Sequence, residues 1–362
     1  MKYNDIRRKT RSVKVGNKVI GGMAPIAIQS MTNTDTHDIA ATLAQIRALE
    51  GAGCDIVRLT VPDEGAANTI FALKEADVRI PLVADIHFNY RIAIACAERG
   101  VDKIRINPGN IGGEENVRAV VEACRKYGVP IRIGVNGGSL EKHILAKYGA
   151  PTPDALVESA LYHAGLLEKF NFYDTVISLK VSEVSAMIAA NRALARRCDY
   201  PLHLGVTEAG DTEMGSIKSA IGIGALLADG IGDTVRVSLT ADPVEEIGAA
   251  RRILSALSVE GQSGMNIVSC PTCGRTRIDL ISLSARFKDA VRREGLSDLP
   301  LRVALMGCAV NGPGEAREAD IGICGGDGEA LLIARGEIIR KIPESDVIDV
   351  LIGELKKIKE KM

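Results

Sequence analysis

The stretch PLVADIHFNYRIAIACAERGVDKIRINPGNIGGEENVRAVVEACRKYGVPIRIGVN, residues 81–136, decides the fold. It holds three short β-branched runs, PLVADI (81–86), KIRINP (103–108) and IRIGVN (131–136). Segments of helical periodicity separate them, such as ENVRAVVEACRKYG (115–128), which closes on glycine as helices commonly do. Strand and helix in alternation imply parallel strands joined by crossovers. Working outward, IAIQSM (26–31) and IVRLTV (56–61) precede this stretch, while VISLKV (176–181), LHLGVT (202–207) and TVRVSL (234–239) follow it. Eight such units without a charge-rich break predict a closed TIM (β/α)8 barrel, with an open doubly wound sheet as the alternative.

The pattern changes after DPVEEIGAARRILSALS (242–258), the expected last barrel helix. Residues 259–264, VEGQSG, read as a linker, so the domains are expected at 1–258 and 265–362. The second is a smaller α+β domain: a Cys-rich loop, a helix over 279–294, a strand over 301–307, strands near 319–324 and 330–336, and a helix from 344.

A net charge of -1 supplies no field to draw nucleic acid or an anionic membrane, so any anion site must be built from placed cations. The N-terminal MKYNDIRRKT lacks the apolar core of a signal peptide, and no run of about 18 uncharged apolar residues occurs. A cytoplasmic enzyme is expected. In that reducing setting eight cysteines point to free thiols or metal ligands rather than disulfides.

Buried parallel strands should be almost pure hydrocarbon, yet charges recur at their C-terminal ends. These are Arg58, Asp85 and His87, Arg105 and Asn107, Arg132 and Asn136, Lys180 and Ser182, and Arg236 and Ser238. In a barrel all these ends meet at one mouth. Any one charge could belong to an internal ion pair. The set could not, because Arg58, Arg105, Arg132, Lys180 and Arg236 face few candidate acids, chiefly Asp85 and Glu208. A polyanion resolves the excess, and arginine forks suit a diphosphate. Glu208, in HLGVTEAG, is either a counter-ion or a general acid or base.

Cys54, Cys96, Cys124 and Cys198 have no partner spacing and read as small buried hydrophobes. The C-terminal set differs: Cys270-x-x-Cys273, then Cys308 on a loop directly after a strand, with Glu315 seven residues on. A redox dithiol or a zinc site remains open, but residues 265–362 contain no histidine and Cys324 sits in an apolar strand pattern. Three soft thiolates favour a four-iron cluster whose last iron takes another ligand. Glu315 is the candidate for that iron, unless it merely decorates the loop.

Together CPTCGRT (270–276), GCAVNGPGEA (307–316), HLGVTEAG (203–210), VADIHFN (83–89) and KIRINPGN (103–110) closely resemble the bacterial 4-hydroxy-3-methylbut-2-en-1-yl diphosphate synthase family in its two-domain form. The resemblance implies an iron-sulfur oxidoreductase of the non-mevalonate isoprenoid pathway, acting on 2-C-methyl-D-erythritol 2,4-cyclodiphosphate. It makes Cys270, Cys273, Cys308 and Glu315 the ligands of a 4Fe-4S cluster. It places Arg58, Arg105, Asn107, Arg132, Asn136, Lys180, Arg236 and Ser238 around the diphosphate, and Glu208 near the departing hydroxyl. It further implies flavodoxin or ferredoxin as electron donor and a head-to-tail homodimer.

Overall fold

The computed structural model describes residues 3–259 and 264–362. The chain forms two compact units, Met1–Gln262 and Ser263–Met362. Of the expected linker, residues 260–263 lie outside the described part.

In the first unit a short helix, Tyr3–Ile6, is followed by a hairpin that is absent from the expected elements. Its strands β1 (Val13–Val15) and β2 (Lys18–Ile20) pair antiparallel, Val13 opposite Ile20, around Gly16 at φ 56°. Eight parallel strands follow: β3 (Ala27–Met31), β4 (Ile56–Thr60), β5 (Leu82–Asp85), β6 (Lys103–Ile106), β7 (Ile131–Asn136), β8 (Thr175–Lys180), β9 (His203–Leu204) and β10 (Thr234–Val235). Their order is β8-β7-β6-β5-β4-β3-β10-β9, and a parallel bridge from Ile177 to Leu202 joins the two ends into a ring. The closed barrel is thus the observed fold, and the open sheet is excluded.

Strand alternation divides each run between two environments. Ile28, Val57, Leu59, Ala84, Ile104, Ile133 and Leu179 are fully buried in the main core of the unit. The intervening positions point into the barrel. At its floor, near the N-terminal strand ends, Ala27, Ile56, Val83 and Val176 pack with Val13, Val15 and Ile20 of the hairpin. Full burial of such side chains stabilises by about 1.5–3 kcal/mol each, so the hairpin is a firmly seated plug. At the opposite end the outer helices begin, capped by side chains that satisfy free backbone N–H groups. Asp38 accepts from Ala41 N, Asp63 from Ala66 N and Asp211 from Met214 N.

In the second unit five strands run in spatial order β11 (Asn266–Ser269), β12 (Arg302–Met306), β13 (Ile321–Gly325), β14 (Glu329–Ala334) and β15 (Glu337–Pro343). The first three are parallel and the last two pairings antiparallel. Helix Leu280–Arg293 buries Leu280, Leu283, Phe287, Ala290 and Val291, a helical-period stripe. With helix Val347–Glu360 it forms a core over the strand residues Val303, Leu305, Ile321, Ile323 and Leu332. Ala304, Met306, Cys324 and Ile333 alternate onto the other face and pack with Ala316 and Ala319 of the following loop. Strands β11 and β15 are additions to the expected set. Among the described residues no helix is long and apolar enough to cross a membrane.

Candidate active site

A cavity of about 300 Å³ opens at the C-terminal strand ends of the barrel. It gathers nine of the residues read from the sequence: Arg58, Asp85, His87, Arg105, Arg132, Asn136, Lys180, Arg236 and Ser238. Strand parity explains the convergence, since positions 58, 132, 180 and 236 all fall on the inward face of their strands. The same parity adds Met31, Thr60, Ser178 and Thr207 to the lining. The alternation could have found Thr60 and Ser178, each two positions from a recognised cation. Met31 carries no charge to announce it, yet its Sδ accepts from Arg58 Nε at 3.1 Å and Nη2 at 2.7 Å.

Two glycines make room for the long cations. A Cβ on Gly134 would lie 2.2 Å from Arg105 Nε, and the Gly134 carbonyl accepts from Arg105 Nη2 at 3.2 Å. A Cβ on Gly205 would lie 2.6 Å from the backbone oxygen of Arg236 and 2.8 Å from Lys180 Nζ.

Two acids balance part of the charge. Asp85, 4% exposed, pairs with Arg105 at 3.1 Å and stands 3.7 Å from Arg58. Burial pushes its pKa up, but Arg58, Arg105 and Arg132 outweigh burial and hold it at about 2. The second acid is Glu246, in helix Pro243–Ala256, rather than the expected Glu208. Glu246 is 3% exposed and accepts from Ser30 Oγ at 2.7 Å, Arg236 Nε at 3.2 Å and Arg236 Nη2 at 3.1 Å. Five basic side chains facing two carboxylates leave three basic groups around the cavity with no acid to balance them. Burial and the neighbouring guanidiniums accordingly push Arg132 and Lys180 well below their ordinary pKa, and Arg58 to about 10.

Three of the expected residues lie off the lining. Asn107 is 3% exposed, and its side-chain oxygen accepts from Gly109 N at 3.0 Å, shaping the turn after β6. Ser182 and Glu208 are exposed. Glu208 holds a left-handed backbone at φ 53°, a conformation that costs a non-glycine residue roughly 1–2 kcal/mol. Strain of this kind concentrates where a side chain must be aimed.

In the second unit, parallel pairing brings the cysteine segments together. Strands β11 and β12 are in register, Ser269 beside Leu305, so Cys270 and the Gly307–Cys308 turn emerge side by side. Gly307 N donates to Cys270 Sγ at 3.2 Å, Arg277 N to Gly307 O at 2.9 Å, and Cys273 N to Thr276 Oγ1 at 3.0 Å. Helix Gly312–Glu315 carries Glu315, which is exposed. Backbone N–H groups of Asn311, Val310 and Gly312 lower the pKa of the Cys308 thiol, favouring the thiolate that metals bind. Cys54, Cys96 and Cys124 show the contrary state, pushed by burial to about 12. Cys324 is also at about 12, first through burial and then through Cys308, Cys270 and Glu315 around it.

Among the described residues no three Cys, His, Asp or Glu groups gather as a single-ion site. A four-iron cluster needs its ligands around a larger body. Three free thiols on adjoining loops, one disposed to ionise, together with a nearby carboxylate are a donor set that fits it.

The family profile described as GcpE TIM-barrel domain matches residues 10–251, and that described as GcpE protein C-terminal domain matches residues 266–357. The 4-hydroxy-3-methylbut-2-en-1-yl diphosphate synthase (flavodoxin) of Caldanaerobacter subterraneus subsp. tengcongensis is 57% identical over 352 residues, covering 97% of this chain and 98% of its own. The protein of the same name from Geobacillus thermodenitrificans is 55% identical over 354 residues, covering 98% and 93%. A sialic acid synthetase from Leptospira borgpetersenii resembles this chain in fold alone, with a TM-score of 0.50 and 14% identity over 78% of this chain and 98% of that one. Both units and nearly the whole length therefore agree, and the chain belongs to the GcpE family of 4-hydroxy-3-methylbut-2-en-1-yl diphosphate synthases.

Proposed function

We propose that the protein reductively opens and dehydrates 2-C-methyl-D-erythritol 2,4-cyclodiphosphate to 4-hydroxy-3-methylbut-2-enyl diphosphate, a step of the non-mevalonate isoprenoid pathway. The observation that carries this reading is the excess of three basic side chains over carboxylates around a closed-floored cavity of about 300 Å³. A diphosphate neutralises that excess. Arg58, Arg132 and Lys180 bind it directly, and Asp85 and Glu246 hold the forks of Arg105 and Arg236 at fixed angles. Ser238, Asn136 and His87 orient the remaining oxygens, and Asn107 keeps the loop beside them in place. Glu208 delivers the proton that lets the hydroxyl leave as water. Cys270, Cys273, Cys308 and Glu315 hold the 4Fe-4S cluster. When bound there, the cluster supplies the two electrons, one at a time, from flavodoxin, the donor printed in the relatives' names.

The complete site is formed by two copies of the chain, each barrel served by the cluster-bearing unit of the other. A head-to-tail pair closed by a two-fold axis achieves this. Anaerobically reconstituted full-length protein, given reduced flavodoxin and the cyclodiphosphate, should yield the linear diphosphate by mass spectrometry. A colourless protein with stoichiometric zinc and no turnover would refute the reading. For the shared site, mixed Glu208→Gln and Cys308→Ser subunits should regain activity in confirmed heterodimers. Activity no higher than the two variants alone would place closure within one chain.

A further inference from the structure

Between the ligand cavity and the apolar floor lies a layer of polar side chains with no role in the proposed reaction. Strand parity points Gln29, Lys103 and His203 inward, one step below Met31, Arg105 and Gly205. All three are at most 1% exposed, as is Arg132 beside them. Lys103 Nζ, both polar atoms of the Gln29 amide, His203 Nε2, and Arg132 Nε and Nη1 have no hydrogen-bond partner among the described residues. The other His203 nitrogen, Nδ1, lies 2.9 Å from Thr234 Oγ1.

Lys103 is the group whose charge this arrangement cannot support. The charged and titratable groups that face it are Arg58 on β4, Arg132 on β7 and His203 on β9. Its register partner on β5 is Val83, and the carboxylate farther along that strand, Asp85, is already engaged by Arg105 and Arg58. An ammonium ion here would be desolvated, without an acceptor and beside two guanidiniums, the combination that most favours giving up a proton.

We infer that Lys103 is an uncharged amine while the barrel is empty and takes up a proton when a diphosphate enters the cavity above it. Burial first, then Arg132 and Arg58, push its pKa well below the ordinary lysine value. A bound polyanion reverses the second influence and makes the charged form the stable one. The inference rests on the diphosphate reading above and extends it. Opening the cyclic diphosphate frees a terminal phosphate oxygen and increases the negative charge, so a proton stored at Lys103 stabilises the later state more than the earlier one. Lys103 thus acts as a charge-compensating residue beneath the ligand, without touching the reacting atoms.

The sign of the effect follows from linkage. A group whose pKa rises on binding makes affinity fall as pH rises, by up to about tenfold per pH unit. A cyclic diphosphate carries only strongly acidic P–OH groups and contributes no proton of its own near neutrality. The test is titration calorimetry of the cyclodiphosphate into cluster-loaded full-length protein without reductant, in buffers of different ionisation enthalpy. Wild type should take up about one proton per barrel more than Lys103→Met, since any uptake at Lys180, which burial and the same guanidiniums also depress, is common to both. Lys103→Met should bind with about one proton fewer taken up and a correspondingly shallower pH slope, whereas His203→Asn should retain the wild-type uptake. The pH slope of wild-type affinity needs no variant and must match the calorimetric uptake. Equal uptake by wild type and Lys103→Met, or its loss in His203→Asn alone, would overturn the inference while leaving the functional reading intact. Failure of the cyclodiphosphate to bind wild type would overturn both.

Discussion

At the barrel mouth the functional side chains stem from strands and are mostly buried, whereas in the second unit Cys273 and Glu315 are exposed and Cys270 and Cys308 only half-buried. The first site is built before any ligand arrives. Its like charges are forced together by a rigid core and held at fixed angles by Asp85, Glu246 and the space above Gly134 and Gly205. The second costs the fold little, because thiols left exposed or half-buried on loops lose little solvation. Its order comes from backbone N–H groups around sulfur and from whatever the thiolates bind. On the proposed function, stored repulsion serves recognition in one unit, and loosely held donors serve cofactor assembly in the other.

The sharpest break in that contrast is Cys308→Ser, which should abolish the visible absorption of the cluster and all turnover while cyclodiphosphate binding to the barrel survives. Cys324→Ser, in the buried strand, should keep its iron. If Cys324→Ser alone bleached the protein, the ligand assignment would be wrong. Next, Arg132→Ala should weaken cyclodiphosphate binding by about 2 kcal/mol or more, roughly thirtyfold, as loss of a buried charge contact does. Because the substitution also relieves repulsion from Arg58 and Arg105, thermal stability should hold or rise; a lower melting temperature with unchanged affinity would return Arg132 to a structural role.

Gly205→Ala probes the rigidity of the mouth. The new methyl meets the Arg236 backbone as well as the flexible end of Lys180, so overpacking should cost about 1–3 kcal/mol in unfolding. An unfolding curve indistinguishable from wild type would show that the strands can give way. Asp85 tests the stored charge through acid. Its folded pKa is depressed, so its contribution is full above about pH 4 and disappears as pH falls toward 2, a loss of roughly 2 kcal/mol. Acid titration of Asp85→Asn should lack that limb. Smallest of all, Ser182→Ala, exposed and off the cavity lining, should change affinity by less than about 0.5 kcal/mol in calorimetry.

The barrel was legible because buried parallel strands announce themselves as β-branched runs, and charges inside such runs have few structural excuses. The hairpin of β1 and β2 escaped notice because its three-residue strands carry Lys14 and Lys18 and show too little periodicity. Strand β15 is exposed at five of its first six positions and looks like a polar turn. Strand β11 is only four residues long, yet it places Cys270 next to Cys308. Glu246 was hidden differently. Glu245 and Glu246 both suit the first turn of a helix, and only packing selects the one that reaches Arg236. Glu208 was visible as a candidate, but its left-handed backbone belongs to a turn that composition does not reveal.

The plug formed by Val13, Val15 and Ile20 makes the barrel a cup rather than a pipe. Whatever enters must leave by the same rim, so the spent molecule has to depart before the next can settle. Traffic through this protein is therefore strictly one at a time, and the product should compete with fresh substrate as a pure rival for a single doorway.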